Sequence, residues 1–195
     1  LPLSSVELAE EMIALNADSL TATDTAQLQR LILDYCAVAI CGSTQPWGRK
    51  MRVWSQQQKS RGQVRLIGSG DMTNAVTAAL ANGTAAHGYE LDDTHEASSS
   101  HPGAVVITAA FAVAAETNAD GRQILAAIAA GYEAMARIGR AAISQEVTER
   151  GFHATCLFGP FGAAVAAAKL MGLDAADLAR SWGLALSMVS GSSQF

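Results

Sequence analysis

Ala104-Val-Val-Ile-Thr-Ala-Ala-Phe-Ala-Val-Ala-Ala115 contains no charged residue, and Ala154 to Ala168 forms a second uncharged run. Both are long enough for several helical turns, and alanine is the best intrinsic helix former. Apolar on all sides, they read as helices buried inside a larger helical core. Pro102 suits the first turn of the first helix, which runs to about Glu116. Working outward, Asp24 is placed to cap a helix through Leu28, Leu31, Ile32, Tyr35 and Val38, ended by Gly42. Ser43 to Gly48 reads as a loop and Arg49 to Gln58 as a helix. Gln63 to Ile67, between Gly62 and Gly68, is the one strand-like piece. Helices are predicted over Asn74 to His87, Arg122 to Ala142 after an Asp120 cap, Phe161 to Met171, and Asp174 to Ser190. Gly88 to Pro102 reads as a loop and Ser144 to Gly151 as a break. The expected fold is all-α: a multi-helix bundle forming a single helical domain over 1–195, with at most one short strand-like segment.

Composition narrows the function. Of 195 residues, 50% are hydrophobic and 16% charged, and the net charge is −5. An acidic chain lacks the basic stripe that nucleic-acid binding needs. No apolar run reaches membrane-spanning length, so no membrane partner is expected. Low surface charge favours a subunit interface. Cys36, Cys41 and Cys156 form no CxxC motif and read as reduced thiols of a cytoplasmic protein.

The chemistry-bearing residues are concentrated. All four histidines fall between positions 87 and 153, three of them in His87-Gly-Tyr-Glu-Leu-Asp-Asp-Thr-His-Glu-Ala-Ser-Ser-Ser-His101. A polar segment between apolar helices is where a rigid scaffold presents functional groups. A histidine beside a carboxylate can move protons near neutral pH. Read one at a time, His87 finishes its helix by binding a carbonyl, Asp92 and Asp93 form a turn and cap, and His95 sits in the loop. His101 stands at the mouth of a helix, and His153 lies in Arg150-Gly-Phe-His153 with Cys156 three residues on. Zinc or iron bound by His87, Asp92, Asp93, His95 and His101, as in a metal hydrolase, is the rival reading from residue types alone. The absence of HExxH and of an i, i+4 histidine pair argues against it.

These segments carry a resemblance. Ala81-Asn-Gly-Thr-Ala-Ala-His87 followed by Leu91-Asp-Asp-Thr94 is similar to the Asn-Gly…His…Asp-Asp-Thr signature of the MmgE/PrpD family. His101-Pro-Gly103, Gly131-Tyr-Glu133, Arg137-Ile-Gly139, Arg150-Gly-Phe-His153, Phe161-Gly-Ala-Ala164 and Lys169-Leu-Met-Gly-Leu173 follow in the family's order. Leu33 to Gly42 resembles its first long helix. The family includes 2-methylcitrate dehydratase, cis-aconitate decarboxylase and an iminodisuccinate epimerase. The resemblance implies a large helical domain, a following α+β lid domain, a homodimer, and chemistry without metal or organic cofactor. It implies proton transfer at a carbon next to a carboxylate of a small di- or tricarboxylate.

On that resemblance His101 and His153 lie in the active cleft, with Thr94 and the acidic position Glu90 beside them. The expected roles are acid and base for His101 and His153, orientation or tuning for Asp93 and Glu90, and substrate-carboxylate binding for Thr94 and Glu90. Two departures stand out. The family usually has Asp where Glu90 stands, and the stretch from Thr94 to His101 is one residue longer than in the decarboxylases. Members continue well beyond the position of Phe195, so the lid is expected to be absent. The expected activity is a lyase, dehydratase or decarboxylase, acting on a methylcitrate- or aconitate-like acid. The alternatives are an epimerase and an inactive helical assembly domain. All of this requires the two imidazoles to meet across one water-poor hollow.

Overall fold

A computed structural model describes residues 4–193. The helices begin where short polar side chains satisfy their first free N–H groups. Ser4 and Glu7 form a capping box that opens α1 (Ser5–Ala14). Thr21 and Asp24 do the same for α2 (Ala22–Ser43), so Asp24 is the inner partner of the box and Thr21 the cap. Pro46 opens α3 (Pro46–Gln57). Two-residue strands β1 (Val64–Arg65) and β2 (Met72–Thr73) pair antiparallel, with Val64 opposite Thr73 and Arg65 opposite Met72. Asn74 caps α4 (Ala75–His87). Then come α5 (Pro102–Thr117) and α6 (Gly121–Ala141), the latter opened by an Asp120–Gln123 capping box. The chain closes with α7 (Ser144–Glu149), α8 (Ala154–Met171) and α9 (Ala175–Met188).

The mostly helical architecture read from the sequence is the one observed. At its centre α8 packs on both α5 and α6, which also touch each other. Helices α1 and α9 cover one side of this trio, and α2, α3 and α4 the other. The centre is built of small residues: Ala110, Ala127, Ala130, Ala134 and Ala166 are fully buried. An ideal Cβ added at Gly162 would lie 2.7 Å from the Gly131 carbonyl oxygen, and one at Gly131 would lie 2.8 Å from that of Gly162. Glycine at both positions therefore sets how closely α6 and α8 approach.

Four sequence expectations are revised. Ser5–Ala14 is a helix that the sequence reading passed over. Ser144 to Gly151 is not simply a break, because a short helix fills Ser144–Glu149. Helix α8 starts at Ala154, seven residues before the expected Phe161, and runs through Pro160. Gly159-Pro160 looks like punctuation. Here Gly159 instead lets the helix lie against Val105, whose methyl carbons would be 3.0 Å from an added Cβ. Lastly, α8 is long and apolar enough to cross a membrane by length and composition, with a mean hydropathy of 1.4. In this fold it is instead the shared packing partner of α5 and α6.

Candidate active site

Three separate pieces of chain deliver imidazoles to one place. His87 is the last residue of α4, His101 stands immediately before α5, and His153 immediately before α8. The His87 ring centroid lies 5.0 Å from that of His101 and 5.6 Å from that of His153. His87, read from the sequence as a local helix-ending contact, is thus the middle member of a histidine trio.

Two carboxylates organise the trio. Asp92 Oδ1 lies 3.1 Å from His87 Nδ1 and 3.5 Å from His101 Nδ1. Only 1% of the Asp92 side chain is exposed, so its charge is screened little by water. On the other side Glu90 Oε1 lies 3.9 Å from His87 Nε2 and 3.6 Å from His153 Nε2. Each nitrogen of His87 therefore faces a carboxylate. The hydrogen bond with Asp92 holds the His87 imidazole above the ordinary histidine range, against the opposing effect of burial. Glu90 adds to that shift by its charge, and holds a left-handed backbone with φ of 51°. A non-glycine residue in that region is a site of local strain.

Asp93 is placed differently from the orienting role expected for it. Its carboxylate accepts from the Gly103 N–H at 2.8 Å and from the Tyr132 hydroxyl at 3.0 Å. It anchors the first turn of α5, two residues beyond His101, and the carboxylate at the rings is Asp92. Burial pushes the Asp93 carboxyl up from its ordinary range, with its two donors opposing. Thr94 is exposed on the same segment. His95 turns away: its Nδ1 pairs with Ser98 Oγ at 2.7 Å. It lines a separate cavity of about 460 Å³ with Leu28, Leu31, Pro102 and Tyr132. Of the five residues in the metal-hydrolase reading, only His87, Asp92 and His101 come together.

Thr155, not singled out from the sequence, joins two parts of the site. Its buried Oγ1 accepts from the His101 N–H at 2.9 Å, so the first turn of α8 fixes the residue that opens α5. The other face of His153 is held by the segment after α9, where its N–H donates to the Gly191 carbonyl at 3.1 Å. His153 Nδ1 is buried without a hydrogen-bond partner among the described residues. Cys156 lies against Gly191 rather than in the trio, and desolvation raises its thiol.

The trio opens on the surface rather than into the enclosed hollow expected. The His101 and His153 side chains are each 18% exposed, and Glu90 is 54% exposed. Tyr89, Leu91 and Phe152, close in sequence to the site residues, are exposed apolar side chains.

A model of the MmgE/PrpD N-terminal domain matches residues 6–195. The chain belongs to the MmgE/PrpD family. Over 195 aligned residues it is 29% identical to the cis-aconitate decarboxylase-like protein oryM of Aspergillus oryzae, covering 96% of this chain and 40% of that protein. It is 30% identical over 183 residues to the cis-aconitate decarboxylase of Aspergillus terreus, covering 91% of this chain and 37% of the relative. The human cis-aconitate decarboxylase is 29% identical over 163 residues, which is 82% of this chain and 34% of that protein. The chain thus spans about two fifths of the length of the Aspergillus relatives.

Proposed function

We propose that this chain supplies the acid–base half of a cofactor-independent lyase acting on a small di- or tricarboxylate, of the methylcitrate or aconitate kind. The observation that carries the reading is the convergence of His87, His101 and His153 with Asp92 and Glu90 at the ends of three helices.

The chemistry follows from the tautomers. With Asp92 at its Nδ1, His101 carries its proton there and leaves the Nε2 lone pair free to act as base. His153 presents Nε2 on the Glu90 side, where a proton can be held for donation. For dehydration, His101 would remove the proton beside a substrate carboxylate and His153 would protonate the departing hydroxyl. For decarboxylation no proton is removed: carbon dioxide leaves its electron pair behind, and His153 would deliver the one proton that the resulting carbanion takes up. His87, held more readily as a cation than a free imidazole, offers positive charge where negative charge develops. Exposed Thr94 is a hydroxyl donor for a substrate carboxylate. Relatives named as cis-aconitate decarboxylases favour the lyase over the epimerase. Cytoplasmic residence and a homodimer that completes the open face belong to the same proposal.

The test is turnover and product analysis by NMR in deuterated water, using a chain of the relatives' length. His101→Ala and His153→Ala are each expected to lose about 10²–10⁴-fold in kcat. Near-normal turnover in both would overturn the assignment. Exchange of a C–H with no loss of water or carbon dioxide would favour the epimerase instead.

A further inference from the structure

We propose that His87, Asp92 and His101 form a binding site for a divalent transition metal such as Zn²⁺, and that its occupation silences the acid–base chemistry. The binding stands on this chain's own geometry. The silencing rests on the lyase reading above.

A tetrahedral zinc ion holds nitrogen and oxygen ligands at 2.0–2.2 Å, so neighbouring ligand atoms lie roughly 3.3–3.5 Å apart. Asp92 Oδ1 is 3.1 Å from His87 Nδ1 and 3.5 Å from His101 Nδ1, close to two edges of such a tetrahedron. One ligand atom from each of the three residues can be taken so that all lie within 4.8 Å of one another. Two neutral imidazoles and one carboxylate suit zinc and its first-row neighbours better than calcium or magnesium. The site is also built rather than accidental. Asp92 is 1% exposed, His101 is fixed through its backbone by Thr155, and His87 ends a packed helix. Ligands on such supports lose little freedom on binding.

A second triad, His87, Glu90 and His153, is the weaker competitor. Its measured edges are 3.9 and 3.6 Å, and its carboxylate is 54% exposed. It also uses the opposite nitrogen of His87, so the two sites are distinguishable atom by atom.

Coordination has a definite chemical consequence. A metal on His101 Nδ1 leaves the ring proton on Nε2. The ring can then donate but not accept, and the base is lost. The ion would thus act as a reversible inhibitor and not as a cofactor.

The experiment is Co²⁺ and Zn²⁺ titration of this chain by calorimetry and absorption, with long-range ¹H–¹⁵N NMR of the histidine rings. One ion is expected per chain, without thiolate charge-transfer absorption. The Nδ1 signals of His87 and His101 should move, and those of His95 and His153 should not. Asp92→Asn and His101→Gln should each weaken binding by more than about tenfold, whereas His153→Ala and Cys156→Ser should bind like the parent. Circular dichroism checks that the variants fold, and the NMR readout needs no variant. Thiolate absorption, movement of His153, or unchanged affinity in both Asp92→Asn and His101→Gln would overturn the site. In a longer chain that turns over substrate, Zn²⁺ should inhibit and a chelator restore activity. If the ion binds these three side chains while turnover continues, the metal site stands and the assignment of His101 as base fails.

Discussion

At the scale of single residues, the site shows how a side chain's local reading and its tertiary role diverge. His87 sits at a helix end, where a bond to a carbonyl is the ordinary use of histidine, and that is how the sequence reads it. The fold instead brings Asp92 back under the last turn of α4, and this places His87 between two other imidazoles. Five residues of spacing in an irregular segment encode no direction, so which of Asp92 and Asp93 faces the rings was not legible. The concentration of histidine and carboxylate over 87–153 was legible, and the fold sets His101 on one side of His87 and His153 with Glu90 on the other. Cys156 gives a pH prediction at this scale. It is exposed, yet desolvation holds its thiol above the ordinary value of 9.0. The thiolate is the reactive form, so at pH 8 Cys156 carries less of it than a free cysteine. Its alkylation by iodoacetamide, followed by peptide mass spectrometry, should lag a model thiol at pH 8 and accelerate as the pH rises beyond 9.0. Reaction at the model rate near neutrality would show that the thiol is activated instead.

Among the elements, helix existence was easier to read than helix ends. Uncharged runs and capping residues announced α5 and α6. Helix α1 was missed although Ser4 and Glu7 spell a capping box, because its apolar face is short: only Ala9 and Met12 are buried. The start of α8 was missed because Gly159-Pro160 is a turn signal in isolation, and only the Val105 contact reveals its use. Glycines here divide into two kinds, and this yields opposite predictions. An alanine at Gly162 would press its methyl group against the Gly131 carbonyl and Met135, where α6 and α8 approach closely. Gly162→Ala should therefore destabilise by about 1–3 kcal/mol, by overpacking. Gly183 lies in mid-α9, exposed, with nothing within 4 Å of an added Cβ. Gly183→Ala should stabilise by about 0.4–1 kcal/mol, chiefly by restricting the unfolded chain. Urea unfolding of both variants checks the pair, and equal effects would show that helix proximity is not what Gly162 sets. Thr155→Val probes the link between two elements. It leaves the His101 N–H without its acceptor and should cost about 1–3 kcal/mol.

For the whole molecule, the question is what α8 is for. Its sequence alone fits a membrane span, while its place in the fold is between α5 and α6, with α9 packed against it as well. These alternatives differ in where stability resides. A helix shared by three neighbours should open only when the whole molecule does, because every partial opening that exposes it must break several interfaces at once. Helix α7 is six residues long, exposed over most of its length, and packs chiefly on α6, α8 and the turn at Glu96–Ser98. Native-state hydrogen exchange in water should therefore rank α8 with α5 and α6 as the slowest amides, and α7 among the fastest. The pattern should persist without detergent or lipid, since α5, α6 and α9 pack directly against α8. The same ranking bears on the site. His101 and His153 both stand at entrances to slow helices, His87 ends α4, and Glu90 lies on the segment that follows it. A trio mounted on the last elements to open would keep its geometry although its other side faces the surface. Rapid exchange along α8, matching α7, would show that the central packing is not the foundation on which the imidazoles are held.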